Sequence, residues 1–162
     1  MRLSNRNKAS YFSFLATFFL VAFLFGIVLF LLEHYVYHYI GWISILFVII
    51  PGLFLLYFYF RGRQIFEYDS DGEALNFKNR NVFAILGKPL NDEFPKYKLL
   101  KYETLDLFFL RRLYIILSSK KSKEVMLKYD ISYLTKKELN DLKFSLSKVS
   151  KENRDNIERE NR

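Results

Sequence analysis

The sequence predicts an α+β membrane protein: an N-terminal transmembrane helical hairpin followed by a bent antiparallel β-sheet capped by a C-terminal helix. Three observations predict it. Residues 11–60 hold a single charged side chain, Glu33, whereas residues 61–162 are rich in Lys and Glu. An Asp71-Gly72 turn signal stands between apolar-alternating runs. Thr135 and Glu138 have capping-box spacing just before an apolar helical stripe. The organisation expected is a basic stretch at 1–10, a two-helix hairpin at 11–60 with spans at 11–32 and 40–60, a β-rich domain at 61–149 and a charged tail at 150–162.

The 162 residues are 51% hydrophobic and 19% aromatic, and none is Cys. Disulfides, thiolate metal sites, a Cys nucleophile and an acyl anchor on Cys are therefore excluded. The formal charge of +8 falls as +3 on residues 1–10, −1 at Glu33 and +6 on residues 61–162. A basic domain held beside a bilayer can meet anionic headgroups. The plainer reading is a solvated, modestly basic surface.

Tyr11 to Leu32 is 22 residues without a charge. At about 1.5 Å per residue it reaches roughly 33 Å, enough for a hydrocarbon core of about 30 Å. Ile40 to Phe60 is a second run of similar length. A cleaved signal peptide does not fit the first run, which is too long and lacks a small-residue cleavage site. Arg2, Arg6 and Lys8 precede the first run, Arg61 and Arg63 follow the second, and the connection "EHYVYHY" has no Lys or Arg. The positive-inside rule then places both termini in the cytoplasm. The aromatic belts agree, with Tyr35, Tyr37, Tyr39 and Trp42 at the outer interface and Tyr57 and Tyr59 at the inner one. Pro51-Gly52 predicts a kink in the second helix, and Ala22 with Gly26 forms a small-xxx-small pair that lets another helix approach. Glu33, His34 and His38 admit a metal-site reading, but amphipathic His at headgroup level is the commoner role.

Residues 64–79 read as a β-hairpin. A two-residue Asp71-Gly72 turn would set Tyr68 opposite Leu75 and Phe66 opposite Phe77, with Glu67, Asn76 and Lys78 on the wet face. "KPLNDEFPKY" (88–97), with two prolines, reads as a loop. Alternation at Leu105, Leu107 and Phe109, and again at Leu113, Ile115 and Leu117, predicts strands. "SSKKSK" (118–123) is a polar turn, and "EVMLKY" (124–129) is the return strand with Val125, Leu127 and Tyr129 on one side. The final helix opens at the Thr135–Glu138 capping box with Leu134 and Leu139 as a hydrophobic staple. Leu139, Leu142, Leu146 and Val149 form its apolar stripe, and Phe144 lies nearly opposite, exposed or in contact with a partner or the membrane. The charged tail reads as a frayed helical extension or as disordered.

Strands followed by one capped C-terminal helix, behind two membrane spans, resemble the bacterial membrane-anchored pleckstrin-homology-like (PH-like) proteins of the YcxB-like kind. The carriers are "QIFEYDSDGEALNF", "LYIILSSKKSKEVMLKY" and "LTKKEL". The resemblance implies a sheet or barrel plugged by the last helix, anchored in the bacterial cytoplasmic membrane. It implies no catalytic residues and no cofactor.

The function expected is a non-enzymatic binding or scaffold module on the cytoplasmic face. Its candidate surface is Arg111, Arg112, Lys120, Lys121, Lys123 and Lys128, with Phe144 as an apolar contact. Anionic lipid headgroups, a protein partner or a second copy of the chain would meet it. The alternative is a small oligomeric transport or channel component, against which stands the lack of charge inside the spans. No nucleophile elbow, phosphate loop, metal-ligand cluster or dinucleotide fingerprint points to an enzyme, and no reader motif points to nucleic acid.

Overall fold

The structure is a computed structural model that describes residues 1–83, 87–119 and 123–160, the side chains of Lys123, Ile157 and Glu160 excepted. The chain forms two compact units, Ser10–Arg61 and a β-rich unit built from Met1–Ala9 together with Gly62–Arg162.

The helical unit follows from its composition. Helix α1 (Ala9–Leu32) and helix α2 (Leu46–Phe60) are long and apolar enough, with their flanking turns, to cross a membrane. Glycine sets how close they come. A Cβ on Gly26 would lie 2.0 Å from the Phe47 carbonyl oxygen, so only glycine allows this approach. Gly52 faces the Phe23 ring, and Phe19 stacks on Phe54 with centroids 4.6 Å apart. The Gly26 half of the small-xxx-small pair thus marks a real helix contact. Pro51 lies inside α2, where it lacks a backbone donor.

The connection is a π-helical turn, Glu33–Tyr37, then His38 in the left-handed region (φ 58), then a 3₁₀ turn, Gly41–Ile45. Glu33 is buried, and its carboxylate accepts from the Ile40 and Gly41 amides, the latter at 3.1 Å. The one charge in the apolar stretch therefore caps the start of the second helical segment, where unpaired amides attract a carboxylate.

Among the described residues the β-rich unit has seven strands in two antiparallel sheets. The first takes β1 (Arg2–Ser4), β2 (Ile65–Asp69), β3 (Ala74–Arg80) and β4 (Leu90–Pro95) in that order. The second takes β5 (Leu99–Asp106), β6 (Arg111–Ser119) and β7 (Lys123–Asp130). Helix α3 (Lys136–Glu160) follows. Between the sheets, Phe77 of β3 stacks on Phe94 of β4 at 5.5 Å and on Tyr129 of β7 at 4.8 Å. The Tyr129 hydroxyl donates to Asp92 at 2.8 Å, which ties β7 to β4. Burial pushes that hydroxyl's pKa well up, and the Asp92 carboxylate reinforces the shift.

Helix α3 begins as its sequence predicts. The Thr135 amide donates to Glu138 at 2.7 Å and the Glu138 amide donates to the Thr135 hydroxyl at 3.2 Å. Leu134, Leu139, Leu142, Leu146 and Val149 are buried in the core. Of the two expectations for the tail the helical extension holds: α3 runs on through about three further turns to Glu160. They are held by Asn153, whose amide donates to the carbonyls of Lys96 (2.7 Å) and Leu99 (2.9 Å).

Three strand expectations need correction. Tyr68 pairs with Phe77 and Phe66 with Asn79, a register two residues from that of an Asp71-Gly72 two-residue turn. The cause lies at the turn. The Ser70 amide donates to the Met1 carbonyl, Asp69 accepts from the Asp71 amide, and only Gly72 takes a positive φ (78). A type I′ turn needs two positive φ values. Residues 90–95 of the presumed proline loop form β4, an edge strand with Pro95 as its last residue and Phe94 in the core. Finally, β5 stops at Asp106, so Leu107 and Phe109 belong to a hairpin tip rather than to a strand.

Candidate functional site

The most constrained part of the β-rich unit is the end at which the chain departs into the helices and returns. Strand β1 pairs with β2, Leu3 facing Tyr68. Just beyond the pair, buried Asn5 donates through its side chain to the Gln64 carbonyl (2.8 Å) and accepts from the Phe66 amide (2.8 Å). Lys8 then pairs with Glu138 at 3.0 Å, so the last residues before α1 are also fixed to the start of α3.

On the return side, Asp130 is the hub. Its carboxylate accepts from the Arg63 amide (3.2 Å), pairs with the Arg63 guanidinium (3.3 Å) and faces the Arg112 guanidinium (3.7 Å). Its backbone is held by buried Asn79, which accepts from the Asp130 amide (2.8 Å) and donates to the Asp130 and Ile65 carbonyls (3.0 Å each). Gly62, at φ +84, packs so tightly that an added Cβ would lie 2.6 Å from the Asp130 carboxyl carbon.

The strand register separates the residues expected to form one basic surface. Arg112 pairs with Asp130 at the junction end of β6–β7, whereas Ser119 pairs with Lys123 at the other end. Seven residues at about 3.3 Å each put these ends roughly 23 Å apart. Lys128, opposite Tyr114, lies between them. Arg111 is already paired with Asp106 at 2.9 Å, and Arg112 with Asp130. Lys120 and Lys121, and the side chain of Lys123, lie outside the described residues. Phe144 is exposed on α3, whose neighbour Ser145 bonds Tyr68 of the first sheet at 3.0 Å.

Sequence reasoning missed two features of this end. One is the buried Asn5–Asn79–Asp130 set, whose members are scattered along the chain and carry no spacing signal. The other is the tip of the β5–β6 hairpin, Leu107-Phe108-Phe109-Leu110, closed by the Leu107 amide donating to Leu110 at 2.8 Å. Leu110 is buried, but Leu107, Phe109 and above all Phe108, at 105% relative exposure, project into solvent. The readable signal was an apolar "LFFL" set between Asp106 and Arg111-Arg112.

The His34 ring stacks on Phe30, and among the described residues no group of three or more His, Cys, Asp or Glu is placed to hold a metal. A surface groove between β5 and α3, lined by Lys101, Tyr102, Lys151, Arg154 and Glu158 among others, carries both signs of charge. No family model, curated protein or solved structure matches this chain.

Proposed function

We propose that this chain is a membrane-anchored, non-enzymatic scaffold whose β-rich unit is a PH-like domain on the cytoplasmic face of a bacterial inner membrane. The observation that carries the membrane reading is the exposure of the helices. Of the 24 residues of α1 only Phe12, Ala16 and Gly26 are buried, and Phe14, Phe25, Leu53 and Phe60 stand at least 60% exposed. In water such a surface far exceeds what a monomer leaves uncovered, whereas in lipid it is the expected one.

The β1–β2 pairing supports a two-span hairpin. Residues on either side of the helices form one hydrogen-bonded pair, so both lie on the same side of any bilayer and the chain crosses it an even number of times. The basic flanks favour the cytoplasm for that side. Four plus three antiparallel strands followed by a C-terminal helix support the PH-like reading. Separation of Arg112 from the Ser119–Lys123 end favours a protein partner over lipid headgroups at that far end.

Because the chain has no Cys, single cysteines report topology cleanly. With an impermeant thiol reagent on intact cells, Tyr39→Cys should label from outside, and Ser118→Cys only after permeabilisation. Labelling of both positions from the same side, or recovery of the chain in the soluble fraction, would overturn the reading.

A further inference from the structure

We infer that the β5–β6 hairpin tip, Leu107–Leu110, is a third membrane contact that dips into the lipid interface and fixes the tilt of the β-rich unit. The inference rests on the hairpin reading of the helices.

The tip is placed by the β-rich unit alone. It is closed by the Asp106–Arg111 pair, both as strand partners and as an ion pair at 2.9 Å. The next residue, Arg112, is the strand partner of Asp130, which is hydrogen-bonded to Arg63, the third residue after the helices. The Ile131 amide donates to the Arg111 carbonyl at 3.0 Å, and the Arg111 amide donates to Ser132. Asn5, Lys8, Gly62, Arg63, Asp130 and the tip therefore share one end of the unit. Four residues from Arg112 to Phe108 reach about 13 Å at most. A unit anchored by residues 9 and 62 at the bilayer surface carries its own apolar tip to that surface.

The chemistry of the tip fits a lipid interface better than water. Two adjacent phenylalanines at a hairpin apex, one fully exposed, are costly in water and find apolar surroundings a few ångströms below the headgroups. The rim is suited to headgroups. Arg111 and Arg112 flank the tip, while Asp106 is neutralised by Arg111 and Asp130 by Arg63 and Arg112. The Ser119–Lys123 end has no such position, since it is the far end of the same strands. The tip thus holds the far end away from the lipid and toward soluble partners.

The test uses the full chain in phosphatidylcholine vesicles, with an environment-sensitive fluorophore on single cysteines and a quencher carried on the lipid tails. Phe108→Cys is the probe, Ser118→Cys the far-end control and Val28→Cys the span control. The expected result is quenching at Phe108→Cys several-fold above that at Ser118→Cys, with strong quenching at Val28→Cys. Equal quenching at the Phe108 and Ser118 positions, with Val28→Cys still quenched, overturns the tip contact and leaves the hairpin standing. An unquenched Val28→Cys label overturns both. A Phe108→Cys label that is blue-shifted but unquenched, and loses its shift on dilution into excess lipid, overturns the proposal in favour of a second copy of the chain. Phe108 makes no core contact, so its replacement leaves folding intact.

Discussion

The Asn5 side chain and the Gln64 carbonyl lie 2.8 Å apart across 59 residues of sequence, and the same side chain accepts from the Phe66 amide at 2.8 Å. One buried amide therefore closes the gap through which the whole helical unit is spliced into a β-sheet. Asn5→Ala should remove both bonds and leave a buried carbonyl and amide unpaired, a loss of about 1–3 kcal/mol. Denaturant unfolding of the full chain in detergent, followed by circular dichroism, measures it against exposed Ser4→Ala. A loss no greater than that control would show that the gap is held elsewhere.

Gly62 and Gly72 form a matched pair for testing the Asp130 hub. Both have positive φ, +84 and +78, but a Cβ at Gly62 meets the Asp130 carboxyl carbon at 2.6 Å whereas one at Gly72 meets open space. Gly72→Ala should cost only the backbone strain, about 1 kcal/mol. Gly62→Ala should cost clearly more, because Asp130 must move off Arg63. Equal losses in the same unfolding assay would remove the packing argument.

Glu138 should make stability depend on acid. Burial alone raises its pKa, but the Thr135 amide, the Lys8 ammonium and the Thr135 hydroxyl together outweigh that and hold it below the ordinary glutamate range. A lowered folded pKa means that the stabilisation is complete above the unfolded glutamate's pKa and is lost as pH falls through the folded one. Unfolding midpoints between neutral pH and pH 3 should fall for the wild type and fall less for Glu138→Gln. Thr135→Ala, which removes the cap, should cost about 1 kcal/mol at neutral pH. Parallel pH curves for the wild type and Glu138→Gln would refute the assignment.

Gly26→Leu should part the two long helices, since its side chain would start 2.0 Å from the Phe47 carbonyl oxygen. Phe19 and Phe54, stacked at 4.6 Å, report the separation. With both changed to Cys, a short thiol cross-linker should join them in vesicles carrying Gly26 and fail in those carrying Leu at that position. Unchanged cross-linking would mean that this contact does not set the helix spacing.

What the sequence disclosed was local. The Thr135–Glu138 cap, the Leu139–Val149 stripe and the two apolar runs each lie within one element, so spacing alone found them. What it concealed depends on partners far away in the chain. A three-residue strand at Arg2–Ser4 has no periodicity to read and exists because Tyr68 and its neighbours receive it. The register of β2 and β3 slipped because the Met1 carbonyl takes the Ser70 amide. Residues 90–95 looked like a loop because proline is excluded from central strands, yet β4 is an edge. The spacing of the candidate basic residues along one hairpin was hidden for a related reason. The backbones of Arg112 and Lys123 lie at opposite ends of one hairpin, a separation that only the strand register discloses.

The splice between β1 and β2 also sets an order of events during synthesis. Residues 2–4 leave the ribosome first, and their partners at 67–69 follow only after both helices have been made. At 5–20 residues per second, about 60 intervening residues impose a wait of roughly 3–12 seconds. Through that interval the first strand has no edge to join, because β2, β3 and β4 all lie beyond the helices in the chain. A chain whose helices stall on the way out therefore leaves Arg2–Ser4 without the strand that receives it, open to proteolysis.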